Sequence, residues 1–132
     1  MRMILLLTAM VLTLGACGET GAPPASVAKD IAPTALATLP ADTVVLDVRT
    51  PEEYQAGHIE GAININVDAA DFKARVAQLD PTRSYVVHCA ANVPNGRSAR
   101  ALEAMDTLGF EHLGNLVGGY SGWIDAGGVA TR

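Results

Sequence analysis

Cys89 closes an apolar run, Tyr85-Val86-Val87-His88-Cys89, and is followed by a loop of small and polar residues, Ala90-Ala91-Asn92-Val93-Pro94-Asn95-Gly96. An Arg-rich helical pattern then begins at Arg97-Ser98-Ala99-Arg100. A thiol at the carboxyl tip of a buried strand, facing a helix N-terminus, sits where backbone N–H groups and the helix dipole favour negative charge. Open α/β sheets also place their sites outside the carboxyl ends of strands. The chemistry that such a thiolate supports is nucleophilic attack with a covalent intermediate. The competing reading is a buried cysteine that packs as a small hydrophobe, the usual fate of a free cysteine.

The surrounding pattern supplies elements to position that thiol. Ile31 to Leu39 reads as a short helix with Pro33 near its start and Pro40 after it. Thr43 to Val48 is continuous and β-branched, as a doubly buried strand is. Thr50-Pro51-Glu52-Glu53 is a helix start, with Thr50 as N-cap, Pro51 in the first turn and acids beside the positive dipole end; Gly57 or Gly61 ends it. Ala62 to Ile65 forms a short strand. Asp68 to Leu79 reads as a helix with Phe72, Val76 and Leu79 on one face. Ser84 to Cys89 is the most buried strand. Arg97 to Leu108 is a helix turning Ala101, Leu102, Met105 and Leu108 inward, with Gly109 after it as the terminating glycine. His112 to Val117 is a last strand, Gly118-Gly119 breaks it, and Tyr120 to Ala126 forms a closing helix carrying Trp123. Strands alternating with helices through short connections give an α/β domain with a mostly parallel central sheet and helices on both faces.

The other cysteine belongs to a different pattern. Arg2 precedes an apolar stretch from Ile4 to Leu14, a leader pattern too short for a comfortable membrane span. It ends Leu14-Gly15-Ala16-Cys17, which resembles the bacterial lipobox, where the leader is cut before the cysteine and the cysteine is acylated. Gly18 to Ser26 is small, polar and proline-containing, as a leash is. Residues 1–16 are therefore expected to be a lipoprotein signal peptide, 17–30 the lipidated Cys17 and its tether, and 31–132 a single domain. The expected location is exported and anchored in a lipid membrane at its periplasmic face. Gly18, in place of Asp, implies the outer membrane if the source has two. With Cys17 acylated, Cys89 has no partner in the chain. A lone thiol in an oxidising compartment is unusual, which favours a chemical role for it.

Nine Lys and Arg against 14 Asp and Glu give a net charge of −5, with no basic run and 5% aromatic residues, so no nucleic-acid partner is expected. Three scattered His give no metal-ligand spacing, and neither metal nor organic cofactor is expected.

Four blocks together resemble the rhodanese-like domain family of sulfurtransferases. Leu46-Asp47-Val48-Arg49-Thr50-Pro51-Glu52-Glu53-Tyr54 resembles its first signature, and Gly57-His58-Ile59-Glu60-Gly61-Ala62-Ile63-Asn64 the segment that follows. Val86-Val87-His88-Cys89 with Gly96-Arg97-Ser98-Ala99-Arg100-Ala101 resembles its active-site strand, loop end and helix, and Leu116-Val117-Gly118-Gly119 with Trp123 its closing segment. The resemblance implies that Cys89 attacks the sulfane sulfur of a thiosulfate- or persulfide-type donor and forms an enzyme persulfide. A thiol or cyanide-like acceptor, or a protein acceptor, then takes that sulfur. It further implies that the loop's N–H groups, among them those of Ala90, Ala91, Asn92 and Gly96, cradle the outer sulfur, that Arg97 meets the bound anion or anchors the loop, and that Ser98 lines the site or caps the helix. Asp47, Arg49 and His58 would support the site structurally, the first two as an ion pair and His58 by fixing a turn.

The chain also departs from that pattern. Seven residues separate Cys89 from Arg97, three more than in the family's usual loop. Pro94 has no N–H to offer, and Asn95-Gly96 is a tight-turn signal, so the longer arc either widens the pocket or folds back and breaks the cradle. Ala90 stands where thiosulfate users often carry a cation, and the missing charge weakens attraction for a small dianion. Thiosulfate is thus expected to be a poor donor beside a larger or less charged persulfide. Two other readings remain open at this level: a non-catalytic binding module at the membrane surface, and an oxyanion enzyme of the phosphatase or arsenate-reductase kind, suggested by the His88-Cys89 pair.

Overall fold

The computed structural model describes residues 28–132. Cys17, the leader and the leash to residue 27 lie outside the described residues. Five strands, β1 (Lys29–Ile31), β2 (Val44–Asp47), β3 (Ile63–Asn64), β4 (Ser84–His88) and β5 (His112–Leu116), form one sheet in the order β1-β5-β4-β2-β3. Every neighbouring pair is parallel, so each connection must cross over the sheet. A 3₁₀ segment (Pro33–Thr38) and the helices α1 (Pro51–Ala56), α2 (Phe72–Val76) and α3 (Arg97–Thr107) make those four crossings, and α4 (Gly119–Asp125) follows β5.

Strand alternation divides the core into two clusters, one per face. On one face Val44, Leu46 and Val48 join Tyr85, Val87 and Cys89 beneath Phe72 and Val76 of α2 and Ala101 and Met105 of α3. On the other, Val86 and Leu116 meet Ile59, Ala62, Leu36, Tyr54 of α1, and Tyr120 and Trp123 of α4. The expected α/β architecture, a parallel sheet covered on both faces, is what the chain adopts.

The local expectations mostly hold. Thr50 caps α1 through a reciprocal box: its hydroxyl accepts the Glu53 N–H at 3.3 Å while the Glu53 carboxylate accepts the Thr50 N–H at 3.0 Å. Gly57 closes the helix. Three details differ. A strand at Lys29–Ile31 pairs with β5, inside the stretch expected to be leash and helix start; three residues with one apolar side chain carry no strand signal. The helix expected from Asp68 to Leu79 is confined to Phe72–Val76. Asn66 Oδ1 accepts the Asp68 N–H at 3.0 Å, a local turn that competes with helix, and the chain beyond Val76 tightens into three-residue hydrogen bonds. Leu108, expected inward, is 40% exposed. It ends α3 in a Schellman motif: the Phe110 N–H donates to Met105 O at 3.2 Å, the Gly109 N–H to Asp106 O at 2.9 Å, and Gly109 adopts φ +86°. Phe110 takes the core place instead, with its ring edge-on to Tyr85.

Leu46 is fully buried at the centre of the sheet beside β4. Leu46→Ala is expected to destabilise the domain by about 2–5 kcal/mol through lost burial and a residual cavity. Chemical denaturation should show a lower midpoint with an unchanged slope.

Candidate active site

Cys89 follows directly on β4, at the carboxyl edge of the sheet and on the face covered by α3. Two peptide planes at the base of its loop are fixed from below by the first turn of α4. The Tyr120 N–H donates to Cys89 O at 2.8 Å and the Ser121 N–H to Ala90 O at 2.9 Å. In a trans peptide the N–H opposes the C=O, so the N–H groups of Ala90 and Ala91 point away from α4. This close approach needs Gly119, which sits at φ +60° and whose hypothetical Cβ would lie 2.6 Å from Cys89 O.

Above that base the loop is turned for a thiol. The sulfur is buried, and its S–H donates to Ala91 O at 3.1 Å, with the Ser98 hydroxyl at 3.5 Å from Sγ and at 3.5 Å from Asn92 Oδ1. The plane between Ala91 and Asn92 thus shows the sulfur a carbonyl, which accepts its S–H. Further on, Val93-Pro94-Asn95-Gly96 forms a turn with Asn95 at φ +55°, and the Gly96 N–H is spent on Val93 O at 2.9 Å. Pro94 has no donor. The long arc therefore folds back on itself at its far end and leaves Ala90 to Val93 and Asn95 as its remaining backbone donors.

Of the expected site residues, Cys89, Ala91, Asn92 and Ser98 are brought together, Ala90 anchors the loop base, and Gly96 caps α3 and accepts the Arg100 N–H at 3.1 Å. Arg97 is held elsewhere. Its guanidinium grips Glu53 bidentately, Nη1 to Oε2 at 2.5 Å and Nη2 to Oε1 at 2.9 Å. The hydrogen bonds from Arg97 hold the Glu53 carboxyl down at about 2, below its ordinary 4.5. Arg97 thereby ties the start of α3 to α1.

Asp47 and Arg49 form a buried ion pair on the opposite face. Arg49 Nη2 meets Asp47 Oδ2 at 2.6 Å and Nε meets Oδ1 at 3.0 Å, and Nη2 also donates to Gly57 O at 2.8 Å. The guanidinium carbon lies 4.0 Å above the centre of the Tyr120 ring. His58 stacks on Tyr54 at 3.7 Å, bonds Tyr54 O through Nδ1 at 2.9 Å and bridges to Thr131, which makes it a turn residue remote from the loop.

Residue-type reasoning gave three contributors no part in placing the thiol. Glu53 read only as compensation for the α1 dipole; nothing in the sequence shows that α3 delivers Arg97 to it. Gly118-Gly119 read only as a strand breaker, although a Gly pair also signals close backbone approach. His88 is fully buried beneath Cys89. Its Nδ1 lies 3.1 Å from Cys89 O, and its Nε2 finds no hydrogen-bond partner among the described residues, 3.7 Å from Asp47 Oδ2. Because Cys89 O is an acceptor, Nδ1 carries the proton. Burial keeps the ring neutral by lowering its pKa, against the pull of Asp47.

A cysteine at the carboxyl edge of a parallel sheet, wrapped by the loop into the next helix, defines a class of domains that run thiol chemistry from that loop. Residues 32–126 match the rhodanese-like domain family, and the chain belongs to it. Among its relatives, Protein HIGH ARSENIC CONTENT 1, mitochondrial, of Arabidopsis thaliana is 38% identical over 92 residues, 62% of this chain and 53% of that protein. The chain thus spans about half the length of that relative. Thiosulfate sulfurtransferase 16, chloroplastic, of the same plant is 36% identical over 62% of this chain and 74% of its own length. Thiosulfate sulfurtransferase PspE of Escherichia coli is 36% identical over 55% of this chain and 67% of its own. A crystal structure of a rhodanese-related protein from Thermoplasma volcanium superposes with a TM-score of 0.67 at 30% identity, covering 78% of this chain and 97% of that one. The chain is therefore a rhodanese-like domain with sulfurtransferase homologues.

The lowered Glu53 pKa fixes a pH dependence. Stability from the Glu53–Arg97 pair is fully present above about 4.5 and is lost as pH falls towards about 2, where the carboxyl protonates in the folded protein. Both side chains are part-exposed, so screening limits the pair to about 1 kcal/mol. Glu53→Gln should cost that amount at neutral pH and flatten the acid limb of the stability profile below 4.5. The loss from burying neutral His88, which begins below its ordinary 6.5, should be equal in both proteins.

Proposed function

We propose that this chain is a catalytic sulfurtransferase that carries sulfane sulfur as a persulfide on Cys89. The observation that supports the reading best is the position of that thiol, fixed by α4 at the carboxyl edge of β4 in a chain whose relatives include proteins named thiosulfate sulfurtransferase. In the first half-reaction the Cys89 thiolate attacks the outer sulfur of the donor. The new S–S bond forms as the donor's own S–S bond breaks, and sulfite leaves from thiosulfate, or a thiolate from an organic persulfide. In the second, a thiol or cyanide-like acceptor attacks the outer sulfur and returns Cys89 as thiolate. Charge and electrons balance without a metal or organic cofactor.

The loop must move for this to happen. Rotation of the Ala91–Asn92 peptide takes the carbonyl off the sulfur and turns the Asn92 N–H towards it, joining the donors of Ala90 and Ala91 already set by α4. With Gly96 engaged by Val93 and Arg97 held by Glu53, the negative charge is met by backbone dipoles and the α3 N-terminus rather than by a free cation. That favours an organic persulfide over the thiosulfate dianion as donor. The same features weigh against oxyanion hydrolysis or reduction, since neither Arg97 nor an acid within the loop is offered to such a substrate. We further propose that the protein is exported and held at a membrane through acylated Cys17, on the periplasmic face of an outer membrane where the source has one. The support is the leader and Leu14-Gly15-Ala16-Cys17. A protein acceptor at that surface fits the same arrangement.

Intact mass of the full chain after exposure to thiosulfate, polysulfide and glutathione persulfide tests the reading. The wild type should gain one sulfur, most readily from the organic persulfide, and Cys89→Ser should gain none. No gain with any donor would replace this reading with the binding module, which keeps its partner after Cys89→Ser.

A further inference from the structure

Beside the nucleophile lies a hollow of about 430 Å³. It opens between Ala28 and Asp30 at β1, Asn115 of β5, the start of α3 and the lengthened loop. Its floor is Ser98, 3% exposed, whose hydroxyl is 3.5 Å from Cys89 Sγ, so the hollow and the sulfur share a wall. Val93 and Pro94 of the loop face Ala99 and Leu102 of α3 across it. Asp30, exposed, also lines it, and its Oδ1 accepts from Asn115 Nδ2 at 3.0 Å. Among the described residues, Asp30 is the one ionisable side chain lining the space. The two cations nearest in sequence to its α3 wall are committed, Arg97 to Glu53 and Arg100 to Asp68 at 2.8 Å.

We infer that this hollow is the binding site for the organic part of the sulfur acceptor, and that it selects small aminothiols over thiols with an anionic end; the inference rests on the persulfide reading above. An apolar waist of Val93, Pro94, Ala99 and Leu102 accepts a short carbon chain. A terminal ammonium finds the Asp30 carboxylate at the rim, and a terminal carboxylate would meet the same charge and be repelled. The outer sulfur of a persulfide stands about 2.0 Å beyond Sγ, within reach of the Ser98 wall, whose hydroxyl is 3.5 Å from Sγ. There the acceptor thiolate attacks it: a new S–S bond forms to the acceptor, the bond to Cys89 breaks, and Cys89 leaves as thiolate. The acceptor departs as its own persulfide, with no oxidant consumed. The lengthened loop acquires a purpose in this arrangement, because Asn92, Val93 and Pro94 supply one side of the hollow.

The test loads Cys89 of the full chain with sulfur from polysulfide and follows discharge to cysteamine, to 3-mercaptopropionate and to cyanide. Comparing variants cancels the intrinsic reactivities of the thiols. Asp30→Asn should lower the ratio of cysteamine to 3-mercaptopropionate rates by about two- to five-fold, the range for an exposed charge pair, and Asp30→Lys should lower it further. Ala99→Trp, which fills the waist, should slow cysteamine several-fold more than cyanide. An unchanged ratio across both Asp30 variants, or equal slowing of cysteamine and cyanide by Ala99→Trp, overturns the site while discharge to cyanide shows persulfide chemistry intact. Failure to load any sulfur overturns both the site and the reading beneath it.

Discussion

The Asp47–Arg49 ion pair joins the parts of this domain that place its thiol. Both groups are buried, and a charge left without its partner there costs about 3–5 kcal/mol. Arg49 answers Asp47 at the end of β2, and its Nη2 also donates to Gly57 O at the end of α1 while its face covers the Tyr120 ring. Tyr120 opens α4, whose backbone N–H groups hold the carbonyls of Cys89 and Ala90. A chain of contacts therefore runs from β2 through one guanidinium to the base of the Cys89 loop. The Val48 N–H closes it from the other side by donating to His88 O at 3.0 Å. None of these groups touches the sulfur; their effect is to decide where the peptide planes around it face.

His88 extends the same network. Its Nδ1–H gives Cys89 O a second donor beside the Tyr120 N–H, while its bare Nε2 faces Asp47 at 3.7 Å, beyond hydrogen-bond reach. Protonating the ring would complete a contact to Asp47 but place a third charge beside the Arg49 pair in a dry interior, and burial disfavours that. An unsatisfied ring nitrogen is the cost of keeping the imidazole neutral there.

The sheet and its order of elements were legible because parallel strands buried on both faces are written as continuous apolar runs, and β2 and β4 are such runs. The α1 cap was legible for a similar reason: Thr50 and Glu53 act within four residues of one another. What stayed hidden was either too short or too distant. The strand Lys29–Ile31 becomes a strand only by pairing with β5, more than eighty residues later. Of the site, Cys89 with its strand, loop and helix could be read locally, and Asp47 with Arg49 stood two residues apart. Arg97 was placed correctly in the chain, but its engagement with Glu53 depends on how α1 and α3 converge. The orientation of the Ala91 carbonyl was beyond reach, because a peptide plane in a loop is set by neighbours that pattern does not reveal.

Those two hidden features determine the electrostatics of the site. A loop that ended in a free arginine and aimed all its N–H groups inward would concentrate small anions. This loop has its arginine neutralised by Glu53, loses two donors to Pro94 and to the turn at Gly96, and belongs to a chain of net charge −5. Long-range attraction for a dianion is correspondingly weak, and screening at physiological ionic strength weakens it further. What remains is short-range: fixed peptide dipoles at the base, the α3 dipole, and the Ala91 carbonyl that the sulfur now meets. With little long-range attraction, discrimination falls to the hollow beside the sulfur, and the additional loop residues line one part of it. Lengthening the arc between Cys89 and Arg97 removed donors from the cradle and built a wall next to it, so one change in the sequence accounts for both.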